Sequence, residues 1–180
     1  LTGAATVGNA TSGTAILTQT SGSTGAVTVS DRGTLNASGG TVGAVEAAVD
    51  SSGTAADVNL TGTAVVASLD LNAGAGHVVS NNAEVTGVVT IDNATLTQSG
   101  AGSKLGTDGT TASTVTVGTT GVLDVNGGMV GAIDNSGTTT IDSASATSLT
   151  NTANTSAVNA GGSVTTTTTV TGGTVTVAGG

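Results

Sequence analysis

The chain has 180 residues, with 11 Asp and Glu against 2 Lys and Arg, which gives a net charge of −9 at pH 7. It contains no Phe, Trp, Tyr, Pro or Cys, and 30 of its residues are Gly. The absence of Cys excludes disulfides, thiolate metal sites and cysteine nucleophiles. The scarcity of basic and aromatic residues argues against nucleic-acid binding. No apolar run approaches the ~20 residues of a membrane-spanning helix, so membrane insertion is not expected.

Short runs rich in Val and Thr recur along the whole chain and are separated by Gly, Asn, Asp or Ser. Apolar and polar residues alternate within them, and this period of two predicts strands. The segment 42–49 contains Glu46-Ala47-Ala48, which favours helix, but its Val and Gly content favours strand and turn. In chain order, the clearest predicted strands are 26–29, 65–71, 84–91, 114–117, 122–125, 138–141, 164–170 and 174–177.

The strongest signal is an internal repeat, in which residues 27–46 align without gaps to residues 115–134 at an offset of 88. The shared core is Gly-x-Leu-x-(Ala/Val)-x-Gly-Gly-x-Val-Gly-Ala and begins at Gly33 and at Gly121. Related Gly-Gly-x-Val segments begin at Gly161 and Gly172. Internal repeats of short strands indicate a solenoid.

The two ends of the chain continue one copy of this core. Residues 173–180 followed by residues 1–4 match it at nearly every fixed position, with Val175 in place of Leu and Thr2 in place of Val. The sequence therefore predicts one period of an array or one link in a polymer. The predicted subunit junction consists of Leu1, Gly3, Ala4, Gly173, Val175, Val177, Gly179 and Gly180.

Strands that alternate Val or Leu with Thr or Ser bury only one side, and without aromatic side chains a two-sheet sandwich would have a thin core. We therefore predict an all-β fold: a single parallel β-solenoid (β-helix) over residues 1–180, built of short stacked coils without substantial helix. At about 20 residues per coil, it would have roughly nine coils and a length of about 43 Å. The expected core is Val27, Val29, Leu35, Val42, Val115, Val117, Leu123, Val130, Val175 and Val177.

The motif Gly-Thr-Leu-Asn-Ala-Ser-Gly-Gly-Thr-Val at residues 33–42 resembles the passenger repeats of bacterial autotransporter and filamentous-haemagglutinin-type surface proteins. The resemblance is clear at residues 27–46, 115–134 and 161–180 and is diffuse elsewhere. It implies a right-handed parallel β-helix that is secreted and displayed on or outside a bacterial cell.

Residues that could carry chemistry are few. His77 is the single His, and no Gly-x-Ser-x-Gly motif is present, so we expect a solvent-facing or ladder-edge histidine and no enzymatic activity. Asp-x-Asn pairs make Asp57, Asp70 and Asp124 candidates for a structural Ca²⁺, which takes six to eight oxygen ligands. Turn formation by Asp and Asn explains the same pairs without an ion. No other cofactor is expected.

These features predict a non-enzymatic extracellular structural protein that binds itself head to tail to form a bacterial surface filament or sheath. One alternative is a monomeric adhesin segment whose loops contact a glycan, a host cell or a neighbouring cell. A further alternative is an S-layer or ice-binding domain. Thr-x-Thr pairs suit an ice-binding array, but from 18/20 to 174/176 they are unevenly spaced along the sequence.

Overall fold

A computed structural model describes residues 3–8, 14–48, 56–72 and 77–178 of the chain. Within these ranges the chain forms 21 β-strands without a helix and winds into a parallel β-solenoid of about 8 turns. The predicted all-β solenoid class is thereby confirmed. No helix among the described residues could cross a membrane.

Most of the predicted runs are strands, but the run 84–91 is divided by a corner into Glu84–Val85 and Val89–Ile91, which lie on different faces. The helix-favouring residues Glu46 and Ala47 lie in a strand, β6, in which Val45 and Ala47 are buried on either side of the exposed Glu46. In chain order, the strands are β1 (Ala5–Val7), β2 (Ala15–Gln19), β3 (Ser23–Thr24), β4 (Val27–Val29), β5 (Gly33–Ala37), β6 (Thr41–Ala47), β7 (Asp57–Leu60), β8 (Val65–Leu71), β9 (His77–Ser80), β10 (Glu84–Val85), β11 (Val89–Ile91), β12 (Thr95–Ser99), β13 (Lys104–Leu105), β14 (Thr114–Val117), β15 (Val122–Asn126), β16 (Gly128–Asn135), β17 (Thr138–Ile141), β18 (Ala144–Asn151), β19 (Thr155–Val158), β20 (Ser163–Val170) and β21 (Thr174–Val177).

The strands form two parallel sheets. The 9-stranded sheet, β2-β5-β7-β9-β12-β15-β17-β19-β21, is called the first face here. The 12-stranded sheet holds two columns of strand segments side by side, since β3 and β4 both pair with β6, at residues 41–42 and 45–47 respectively. The column through residues 41–42 is called the second face and the column through residues 45–47 the third face. Each complete coil therefore contributes one segment to each face.

Coil length varies along the axis. In-register partners on the first face are 18 residues apart for Ala15 and Gly33, 27 for Thr95 and Val122, and 16 for Val122 and Thr138. The described residues make about 8 turns, close to the roughly nine coils expected for 180 residues, but the coils depart from the average of about 20 residues that the expectation used. The length differences arise at the corners between faces, where the chain accommodates extra residues without disturbing the strand ladders.

The sequence repeat corresponds to a structural one. On the third face, Val27 pairs with Val45, Val45 with Leu69, Leu69 with Val89 and Val89 with Val115. These four steps together span the 88 residues of the repeat offset. The two copies of the repeat therefore occupy equivalent positions four coils apart.

Inward side chains form continuous columns of Leu, Val and Ile along the axis. On the first face, Leu35 pairs with Val58, and Leu96 with Leu123; each is at most 1% exposed. Burial of such a side chain stabilises the fold by about 1.5–3 kcal/mol. Of the ten core residues expected from the sequence, the eight from Val27 to Val130 are buried, whereas Val175 is half-buried and Val177 is 67% exposed.

The Gly-Gly pair of the repeat lies at the corner between the first and second faces. Gly40 and Gly128 have φ values of 79° and 84°, in the left-handed region. A Cβ atom at either residue would lie 2.3 Å from a backbone oxygen of the preceding coil, that of Gly22 or Ser103. Glycine is required at both positions because neither the conformation nor the space admits a side chain.

A buried amide of the preceding coil binds each of these corners. Gln19 Nε2 donates a hydrogen bond to the Thr41 carbonyl at 3.0 Å, and Gln98 Nε2 donates to the carbonyls of Gly127 at 2.9 Å and Met129 at 3.1 Å. Gln19 and Gln98 occupy the same inward position of the first face, four coils apart. They satisfy corner carbonyls that would otherwise be buried without a hydrogen-bond donor.

A second buried polar cluster lies beside the apolar core in the later coils, where Ile133, Ile141 and Leu149 remain fully buried. Asn135 and Asn151 are register neighbours on the third face and are 0% exposed. Asn135 Nδ2 donates to Asn151 Oδ1 at 2.7 Å and to Ser156 Oγ at 2.9 Å, while Thr139 Oγ1 donates to Asn135 Oδ1 at 3.0 Å. Asn151 Nδ2 donates to the Gly172 carbonyl at 2.7 Å, which links the cluster to the next coil.

Substituting Asn135→Ala should lower the free energy of unfolding by roughly 2–4 kcal/mol, because Asn151, Ser156 and Thr139 would lose hydrogen bonds inside the core. Urea unfolding followed by circular dichroism measures this change. The matched control is Asn126→Ala, which removes an exposed amide and should change the free energy by less than about 0.5 kcal/mol. Equal effects of the two substitutions would contradict a stabilising role for the buried cluster.

Candidate functional site

His77 belongs to the core. It is 0% exposed, and its Nδ1 atom accepts a hydrogen bond from the Val58 backbone N–H at 3.1 Å. The expectation of a solvent-facing or ladder-edge histidine is therefore wrong. In strand β9, His77 and Val79 point into the core and Val78 is partly exposed. Because residues 78 and 79 are both Val, the sequence does not show which side of the strand faces the core. The imidazole is a packed acceptor that satisfies a backbone donor of the preceding coil.

The three calcium candidates lie far apart on the solenoid. Asp57 and Asp124 lie on the first face in coils that are three turns apart, whereas Asp70 lies on the third face beside its register neighbour Glu46. The Asp124 carboxylate accepts a hydrogen bond from Asn126 Nδ2 at 3.0 Å. Within the described ranges no three His, Cys, Asp or Glu residues are grouped so that they could hold a metal ion. The structure does not bring the candidates together, and calcium binding stays a prediction.

Threonine pairs recur on alternate coils on the outer side of the first face. Because coils differ in length, uneven sequence spacing is compatible with a stacked array, contrary to the interpretation drawn from the sequence. The intervening coils carry other residues at these positions, including Asp124 and Ala157, so the Thr array is interrupted. Three pairs share the same two columns on alternate coils: Thr95 with Thr97, Thr138 with Thr140, and Thr174 with Thr176.

An exposed loop interrupts the coil between β13 and β14. Thr107 and Ala112 form an isolated antiparallel bridge at its base. The Asp108 carboxylate accepts hydrogen bonds from the backbone N–H groups of Thr111 at 2.6 Å and Thr110 at 2.7 Å, and from the Thr110 hydroxyl at 2.7 Å. These hydrogen bonds, the one from Thr111 foremost, lower the pKa of Asp108 from 3.8 to about 2.

Lys104 fastens this loop to the body of the solenoid. Its Nζ atom donates to the Asp108 carbonyl at 2.8 Å and lies 3.5 Å from Glu84 Oε2, on the neighbouring strand of the second face. The ion pair is partly exposed and contributes little to global stability. Its geometric effect is local, since it holds one end of the loop against β13.

The last described coil leaves inward-pointing positions uncovered. Strand β20 pairs with β18 and β21 with β19, and neither has a second partner among the described residues. Val170 and Val177 are in register with the buried Asn151 and Val158, yet they are 52% and 67% exposed. Their side chains point along the core column but have a neighbouring coil on one side only.

The first described coil also has strands paired on one side only, although its inward Val7 and Gln19 are each just 6% exposed. Strands β1, β2 and β3 pair only with β4, β5 and β6 respectively within the described part of the chain. Exposed parallel edges of this kind are templates for further strand pairing. Of the predicted junction residues, Gly3, Ala4, Gly173, Val175 and Val177 lie at the two ends of the solenoid. The others, Leu1, Gly179 and Gly180, lie outside the described residues.

The carboxyl group of Asp108 should titrate with a midpoint of about pH 2, well below the ordinary 3.8. A depressed pKa stabilises the loop conformation fully above pH 3.8, and this stabilisation should disappear as the pH falls through about 2. Side-chain carboxyl and Thr111 amide shifts, followed by NMR, measure the midpoint. Thr110→Val removes the hydroxyl donor and should raise the midpoint, and a midpoint near 3.8 in the unmodified chain would contradict the geometry.

No protein-family model, curated protein or solved structure matches this chain. The resemblance to autotransporter and filamentous-haemagglutinin-type repeats therefore depends on the sequence motif alone. The fold supports a coarser statement, that the chain is a parallel β-helical repeat protein with open end coils.

Proposed function

We propose that this protein is a non-enzymatic extracellular structural protein whose copies stack head to tail into a bacterial surface filament or sheath. The observation that carries the proposal is the exposure of inward-pointing Val170 and Val177 on an open coil edge. A second open edge, formed by β1, β2 and β3, lies at the opposite end of the same axis. The strands at one end of a copy can therefore pair with the strands at the opposite end of another copy.

The direction of stacking follows from the parallel ladder. All coils run in the same sense, so the edges at the two ends are different surfaces. Only contact between the first coil of one copy and the last coil of another continues the ladder. Such a head-to-tail contact does not close on itself and generates an open filament. Each new backbone hydrogen bond contributes about 0.5–1.5 kcal/mol, in addition to the burial of the exposed valines.

The distribution of charge supports the same proposal. The edge strands β1, β2, β3, β20 and β21 contain no charged residue. Natural sheets protect exposed edges from pairing with charges or Pro, and neither is present here. The acidic residues Glu46, Asp70 and Asp134 project from the third face in interior coils. These outward acids oppose side-by-side contact between solenoids, whereas the edge strands at the two ends place no like charges directly against each other.

One observation favours the alternative of a monomeric adhesin segment. The loop around Asp108 is exposed and ordered by its own hydrogen bonds, and such loops on a rigid scaffold are common contact sites. A surface glycan or a neighbouring cell would then be the partner. The two functions differ in one measurable property, the oligomeric state of the isolated chain.

Analytical ultracentrifugation and electron microscopy of the purified chain test the proposal. We expect concentration-dependent filaments one solenoid wide. Val170→Asp places a charge in the exposed core column of the last coil and should abolish or reduce filaments at least tenfold. The control Thr138→Asp adds the same charge to an outward position flanked by Val122 and Thr155 and should leave assembly unchanged.

Monomers that persist at high concentration would contradict assembly and favour the adhesin alternative. The same samples treated with EGTA test the calcium prediction. Filaments that survive EGTA would contradict an ion bridging the copies, and filaments that dissolve and return with added Ca²⁺ would support one.

A further inference from the structure

We infer that the solenoid itself sets the register of the contact between copies. Strand β1 of one copy pairs with the third-face part of β20 of the preceding copy, which places Val7 over Val170. Strand β2 pairs with β21 in the same junction, which places Leu17 over Val175. This inference rests on the proposed head-to-tail assembly and specifies which residues meet.

The last described strand, β21, occupies the first-face position that β5 and β15 occupy in the two copies of the sequence repeat. Leu123 pairs with Thr139, Thr139 with Ser156 and Ser156 with Val175, so these residues share one inward column. Leu35 belongs to the same column four coils before Leu123. Strand β21 is therefore structurally equivalent to β5 and β15.

The first described strand, β1, occupies the third-face position that comes after the first-face strand in each copy of the repeat. Ala5 pairs with Val27, and Val27 pairs with Val45, so β1 is equivalent to residues 45–47 of β6 on the third face. In the repeat, β5 leads into β6 through the Gly-Gly corner. Strands β21 and β1 are thus equivalent to β5 and to the third-face part of β6, which follow one another in the repeat.

This register covers the side chains that the last coil leaves exposed. Val170 lies in the third-face column that contains Val7 and the buried Val29, and Val177 lies in the first-face column that contains Gln19 and Ala37. The outward column of the third face also continues, since Thr6 pairs with Thr28 at one end and Thr169 with Thr150 at the other. Thr6 and Thr169 of adjacent copies would be direct neighbours.

Cysteine cross-linking tests the register, because the chain has no Cys of its own. Chains carrying Thr6→Cys are mixed with chains carrying Thr169→Cys and oxidised. In the inferred register the two Cα atoms are about 4.8 Å apart, within the range that a disulfide spans. The matched control replaces Thr169→Cys with Thr167→Cys, two residues away along the strand and more than about 7 Å from its partner, and should form at least tenfold less dimer.

The outcomes separate the register from the assembly. Filaments that form without the Thr6→Cys and Thr169→Cys disulfide, or that cross-link preferentially through Thr167→Cys, would overturn the register and leave head-to-tail assembly intact. An absence of filaments would overturn the proposed function. The register is then tested in a tandem chain of two copies joined directly, with Thr169→Cys in the first copy and Thr6→Cys in the second. Closure of that disulfide supports the register, and failure to close contradicts it.

Discussion

Parallel, in-register stacking places each side chain directly over its counterpart one coil away, and the rest of this structure depends on that constraint. An inward column must contain residues that pack on themselves at the ~4.8 Å spacing of neighbouring strands. Leu, Val, Ile and Ala meet this requirement in a narrow interior, which accounts for a core without a single aromatic side chain. Coil length is free to vary between strands, because the ladder requires equivalent faces and not equal numbers of residues.

The corners are where this architecture is most demanding, since the chain turns there and its carbonyl groups leave the ladder. Gly40 and Gly128 provide the left-handed turns, and the amides of Gln19 and Gln98 from the preceding coil satisfy the buried carbonyls. The glutamine and the glycine pair form one unit that spans two coils. Local sequence similarity detects the glycines but not their partners, which lie 20 or more residues away.

The proposed function depends on the same repetition. A parallel strand edge can pair with a further strand unless charged residues or Pro prevent the pairing. The edge strands of this chain contain neither. Val170 and Val177 occupy core columns but are exposed, because no coil in the described ranges covers them. The proposed end-to-end contact would use these edges, and the acids of the interior coils would oppose contact between the flanks of neighbouring solenoids.

The period-two alternation of Val and Thr, with Gly and Asn between the runs, determined the strands, because a strand buries alternate side chains. It also determined that Leu35 and Leu123 are equivalent core residues, through the repeat that contains both. Only the tertiary structure decided which polar residues point inward. His77, Gln98 and Asn135 are polar residues in alternating runs, and their burial depends on hydrogen-bond partners in adjacent coils. The register of one coil on another, which places those partners, depends on the lengths of distant corners and is not encoded within any single segment.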